Sequence, residues 1–170
     1  LSDAPDTDPA TALLAAIIAA ARTSEAVEAA FADRPIQVWE SAPTEVSGRE
    51  GAVDHPYVTV PNIQVIGDEP AVVGQDEDED EVLDDPSEAF VDFHFFSRER
   101  ADGKGGRPEV TRLVGAFRRA LVREIPIPGG YRFRVVLANV RDARHFTDAD
   151  GLTARSILTV RYLVEPTSED

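Results

Sequence analysis

The chain has 170 residues, with 17 Lys+Arg against 32 Asp+Glu and a formal net charge of −15. That length suits one domain with its own core, spanning residues 1–170, and the charge argues against tight binding to nucleic acid or to anionic membranes. Cysteine is absent, which excludes disulfides, thiolate metal sites and cysteine catalysis and fits a reducing compartment.

Residues 1–8 are small and polar and are expected to be loose. Asp8-Pro9 is a helix start, with Asp as cap and Pro at the first helical position. Leu13, Leu14, Ile17, Ile18 and Ala21 then recur at helical spacing. This apolar stretch, residues 10–21, is too short to span a bilayer. Asp3, Asp6 and Asp8 stand where a signal peptide carries basic residues, so it reads as a core helix. Residues 24–31 read as a second short helix, with Val27 and Phe31 four apart, ended by Pro35. Residues 36–39 are a short strand, and 41–54 a loop rich in Ser, Gly and charge.

Tyr57-Val58-Thr59-Val60 and the β-branched run after it read as one strand with a break or bulge at Pro61, because proline cannot donate to a ladder. Residues 68–87 form a long acidic connection, and 89–97 alternate: Val91, Phe93 and Phe95 on one face, Asp92, His94 and Phe96 on the other. After a turn at 102–106, Pro108 opens a helix. Its apolar stripe is Val110, Leu113, Val114, Phe117 and Leu121; Arg112, Arg118, Arg119 and Arg123 line the other side. Pro126 and Pro128 stop it. Residues 131–140 and 154–164 read as an antiparallel pair joined by a loop holding Asp150-Gly151, and 166–170 as a loose end. The order gives an α+β domain: an antiparallel sheet of about four to five strands packed on two or three helices.

Few side chains in this pattern suggest chemistry. His55, His94 and His145 share no metal-ligand spacing, and His94 reads as an exposed or interface residue. Ser97 or Ser156 with a histidine would need a nucleophile elbow or comparable context, which is missing. Asp148-Ala149-Asp150-Gly151 lacks the third acid and distal Glu of a calcium loop and reads as a hairpin turn. Gly103-Lys104-Gly105-Gly106 lacks the earlier Gly and following Ser/Thr of a phosphate loop. No catalytic, cofactor or metal residues are assigned, and the chain is not expected to be an enzyme. The one unusual feature is the run Asp76, Glu77, Asp78, Glu79, Asp80, Glu81, Asp84 and Asp85. It reads as a solvated loop, as weak divalent-cation ligation, or as a negative surface that repels phosphate.

In this order the motifs resemble the phage tail-completion, or tail-terminator, family (the DUF3168 type), found in siphophage tails and gene transfer agents. The resemblance rests on the first helix leading to residues 36–39; on His55-Pro56-Tyr57-Val58-Thr59-Val60 followed by Gly67-Asp68; on Val91-Asp92-Phe93-His94-Phe95-Phe96-Ser97-Arg98 before a glycine turn and the helix at 109–123; and on Arg144 through Asp150-Gly151-Leu152-Thr153-Ala154 to Tyr162, with Val164-Glu165 after it. It covers residues 13–165. The acidic insert and the 41–54 loop depart from shorter members. The resemblance implies an α+β fold and a structural virion protein, assembled in the host cytoplasm, that forms a hexameric ring. It also implies that the ring caps the tail tube and joins the head-side connector or stopper, with no membrane and no catalytic residues to carry over. DNA would pass through its lumen without specific binding. An acidic run on the lumen wall would then repel phosphate at short range.

Trp39, Phe96 and Arg98 are the subunit-interface candidates, because aromatics and Arg dominate interface hot spots; Trp39 and Phe96 are equally suited to a core. A head-completion or stopper role is the neighbouring alternative. A different class, an acidic DNA mimic that inhibits a nucleic-acid-binding protein, would need acids spread over an ordered face rather than gathered in one run.

Overall fold

The computed structural model describes residues 9–32, 34–40, 45–46, 49–50, 55–66, 87–127, 131–135 and 143–166. Helix α1 (Pro9–Arg22) buries Leu13, Ile17 and Ala21, spaced four apart, together with Ala12 and Ala16. Asp8, the expected cap, lies outside the described residues. The helix end is held by the Arg22 guanidinium, which donates to the Val38 carbonyl at 3.1 Å. Helix α2 (Glu25–Phe31) follows after a two-residue break and buries Val27, Ala30 and Phe31. It ends where Ala32 takes a left-handed conformation (φ 52°), before the expected stop at Pro35.

The strands are β1 (Val38–Trp39), β2 (Glu45–Val46), β3 (Arg49–Glu50), β4 (Tyr57–Ile66), β5 (Ser87–Arg98), β6 (Ile125–Ile127), β7 (Tyr131–Val135), β8 (Arg144–Thr147) and β9 (Thr153–Pro166), with α3 (Arg107–Leu121) between β5 and β6. The main sheet runs β1-β4-β5-β9-β7-β6, with β8 also paired to β9. Every pair in it is antiparallel except β1 with β4, which is parallel. The α+β class is the expected one. The sheet is mixed and has seven strands rather than four to five.

The extra strands are the short ones. Residues 41–54 are not all loop, because β2 and β3 pair as a small separate hairpin. Pro126 does not merely stop α3. It sits inside β6 at the sheet margin, where a missing N–H leaves no gap in a ladder. The Asp148–Gly151 turn is a hairpin as expected, but it joins β8 to β9. Because β9 is 14 residues long, β8 occupies one half of its edge and β7 the other. Two boundaries also shift, since Ser87 opens β5 and Pro166 closes β9. The break at Pro61 appears as a register shift between Thr59 and Asn62 against β5.

Alternation along β5 and β9 sets the layers. Ala89, Val91, Phe93 and Phe95 of β5, and Leu158, Val160 and Tyr162 of β9, point to the helices and are buried. α3 meets them with Val110, Leu113, Val114, Phe117 and Leu121, the stripe read from its spacing. Phe117 packs edge-on against Phe95 at 5.0 Å and Phe93 at 6.0 Å between ring centroids.

The start of α3 is fixed to the end of β5 by a buried polar cluster. Ser97 Oγ accepts the Gly106 N–H at 2.9 Å and donates to the Glu109 carboxylate. Glu109 also faces Arg100 at 3.4 Å and Arg112 at 3.6 Å. The turn before the helix depends on Gly105, whose φ is +93° and where an added Cβ would stand 2.2 Å from the Arg98 carbonyl oxygen. Gly105→Ala should therefore lower stability by at least ~2 kcal/mol, read as a fall in melting temperature of about 2–4 °C per kcal/mol. Ser97→Ala leaves the Glu109 carboxylate without its buried donor and should cost about 1–3 kcal/mol by the same measurement.

Candidate interaction surface

All three helices lie on one side of the sheet, so the residues between the core positions of β5 and β9 face outward. They are half-buried rather than buried: Phe90, Asp92, His94 and Phe96 on β5, and Arg155, Ile157, Thr159 and Arg161 on β9. Register places them in rows. One row crosses four strands as Tyr57, Phe96, Arg155 and Phe146. The next crosses five as Trp39, Thr59, His94, Ile157 and Arg144.

The rows are knit together across strands. Tyr57 stacks on Phe96 with centroids 4.7 Å apart and planes 14° from parallel. The Arg155 guanidinium lies 5.3 Å from the centroid of the same Phe96 ring. Arg155 Nη2 also donates to His94 Nδ1 at 2.8 Å, so that nitrogen is the acceptor and the ring proton rests on Nε2. Thr159 Oγ1 donates to Asp92 Oδ1 at 2.5 Å. Further along, Arg161 pairs with Glu88 and lies over Phe90 at 5.9 Å. This face is therefore ordered by its own contacts before any partner arrives. Its outer members stay open to solvent: Trp39 is 40% and Phe146 46% exposed.

Electrostatics follow the same geometry. Burial, then the Arg155 charge and more weakly that of Arg144, hold His94 below the ordinary imidazole value, with Asp92 opposing. Burial, then the nearby Asp148 carboxylate, push the Tyr57 phenol up, offset in part by Arg155. Asp150 is held down at about 2 by the Thr153 hydroxyl and the Thr153 and Leu152 N–H groups, which occupy its oxygens. That bonding makes Asp150 the lock of the β8–β9 turn. Among the described residues no group of three or more His, Cys, Asp and Glu is placed to hold a metal ion.

Of the three interface candidates, Trp39 and Phe96 both lie on this outer face and neither is in the core. Arg98 follows Phe96 on the same side of β5 and is exposed. The acidic run from Asp76 to Asp85 lies outside the described residues. Sequence reasoning missed Phe146 and Arg155. The available signal was the alternation of Arg144-His145-Phe146-Thr147 just ahead of the Asp-Gly turn. Ser156 and His145 do meet, with 2.5 Å between Oγ and Nδ1, but Ser156 has no exposed surface and no substrate can approach it. Ser97 is likewise sealed against Glu109.

Where β5 ends, a cleft of about 450 Å³ opens between Arg34, Gln37, His55, Arg98, Glu99 and Arg100. Arg34 donates to the His55 carbonyl oxygen. Arg100 leans toward Asp102 and Glu109. Arg98 makes no hydrogen bond or ion pair among the described residues.

The chain thus combines a sheet covered by helices on one side with a self-ordered aromatic face on the other. Its fold is similar to that of a solved chain from "Virion of native gene transfer agent (GTA) particle", with a TM-score of 0.57, 18% identity, and coverage of 94% of this chain and 99% of that one. The family model described as "Tail completion protein gp17" matches residues 15–165, and the chain belongs to that family. It is thus a structural tail-completion protein of a phage-type virion tail. No curated protein matches the chain.

The His94 environment sets a pH dependence. Its folded-state affinity for a proton is lowered, so the unfolded chain protonates first and stability falls as pH drops below about 6.5. NMR titration of the His94 ring should give a midpoint below that value. His94→Gln, which keeps a hydrogen-bond acceptor, should remove this part of the pH dependence of thermal unfolding. A midpoint at or above the ordinary value would contradict the assigned contact with Arg155.

Proposed function

We propose that the chain is a ring-forming tail terminator. Six copies close around an axis, the ring caps the tail tube protein, and its other side meets the head-side connector or stopper. DNA passes through the lumen without specific binding, which a net charge of −15 favours by repelling phosphate. The role is structural and involves no catalysis.

The observation that carries this reading is the outer sheet face, where Trp39, Tyr57, Phe96 and Phe146 come together from four strands with Arg155 among them. Aromatics and Arg held rigid in advance are what interface hot spots are made of, because little side-chain entropy is left to lose on binding. Family membership and the fold shared with a virion chain point the same way. Ring closure needs two different surfaces on each copy, one meeting the other around the axis. The outer face supplies one of them.

The test is the mass of the full chain, alone and mixed with its tail tube protein, by sedimentation velocity and native mass spectrometry. Six-copy particles are expected, at least in the mixture. Trp39→Asp and Phe146→Asp alter exposed side chains, so the fold should survive by circular dichroism. Each should weaken assembly by about 2 kcal/mol or more per contact. Monomers in every mixture, with connector protein included, would refute the ring.

A further inference from the structure

The arginine cleft stands at one end of the β4–β5 hairpin, the connection whose sequence holds the acidic run joins the two strands at the other, and together they suggest what holds one copy to the next. We infer that the cleft formed by Arg34, Arg98 and Arg100 receives the carboxylates of residues 76–85 from a neighbouring copy of this chain. The inference rests on the ring reading and adds a contact between neighbouring copies.

The cleft is built for anions. Arg34 spends a donor on a neutral carbonyl, so its charge is not cancelled there. Arg98 is exposed and makes no hydrogen bond or close ion pair among the described residues, although its charge acts on Asp150. Glu99 is the one carboxylate on the lining, and Arg100 is already shared with Asp102 and Glu109. Gln37, also on the lining, has a side-chain oxygen shielded from water and without a hydrogen-bond partner, an acceptor suited to a peptide N–H. In a chain of net charge −15, copies repel unless a specific cationic site meets a specific anionic one. The run of Asp76, Glu77, Asp78, Glu79, Asp80, Glu81, Asp84 and Asp85 is the densest acidic segment of the sequence.

Topology decides that the donor is another copy. Residues 67–86 connect the end of β4 to the start of β5, and Tyr57 and Phe96 pair at the far end of that same hairpin. Arg98 closes the 12-residue β5, so it stands about 35 Å from the point where the connection leaves the sheet. A connection of 20 residues reaches about 35 Å out and back only when fully extended both ways. A chain cannot comfortably fill its own cleft. A neighbour placed end to end can, and this is the heterologous geometry that closes a ring. The run then lies between subunits rather than along a lumen wall.

A synthetic peptide of residues 75–86 tests the contact without any ring. The receptor is the full chain with its own eight acids replaced by Asn and Gln, and the readout is fluorescence anisotropy. Saturable binding is expected, weakened about tenfold or more by added salt and by the double change Arg34→Glu and Arg98→Glu. No saturable binding, equal binding to the double variant, or preference for duplex DNA over the peptide overturns the inference. Mixing the acid-neutralised chain with the Arg34→Glu, Arg98→Glu chain should yield pairs that grow no further, because one productive contact remains. Such pairs support the contact even where no ring closes. Wild-type rings that persist unchanged in both variants overturn the contact and leave the ring reading standing.

Discussion

Everything in this molecule follows from a sheet covered on one side only. Three helices bury the odd-numbered positions of β5 and the even-numbered positions of β9, and nothing among the described residues covers the others. A slip of one residue in either strand would exchange Phe93 and Phe95 for His94 and Phe96 beneath the helices. The register is thus fixed by the core, and the outer face inherits its order from it. Aromatic rings and guanidinium groups that would otherwise sample several rotamers are held by cross-strand neighbours. A surface with so much of its freedom already removed loses less when it docks.

Charge poses the second constraint. Identical chains of net charge −15 gain nothing from general attraction, so assembly has to come from local features. Arginine is placed accordingly. Arg155 and Arg161 lie over phenylalanine rings on the outer face, and Arg34, Arg98 and Arg100 gather at one sheet end. The overall charge is negative, while these arginines gather positive charge at particular places on the surface.

Much of the fold was legible because its signals are local. The stripe of α3, the alternation of residues 89–97, the bulge at Pro61 and the Asp-Gly turn each depend on neighbours within a few positions. What escaped was long-range. β6 and β8 have three and four residues, too few for a periodicity to register, and Pro126 argued against a strand that exists because it is marginal to the sheet. The pairing of β8 rather than β7 through the hairpin depended on the length of β9. The candidate surface was half legible. Trp39, Phe96 and Arg98 could be named from residue type. That Trp39, Phe96 and Phe146 stand on one face required the register of strands far apart in the chain. Ser97 was set aside as a nucleophile for want of a motif, and only its contacts with Glu109 and Gly106 show it to be a helix anchor.

The margins of the sheet bear on the kind of polymer this chain can make. Its path ends in a two-residue strand on one side and a three-residue strand interrupted by proline on the other. β1 covers only Val58 and Thr59 of the ten-residue β4, so the rest of that strand presents an open backbone edge among the described residues. Pro61, which has no N–H to donate, interrupts that edge and hinders growth of strand upon strand along it.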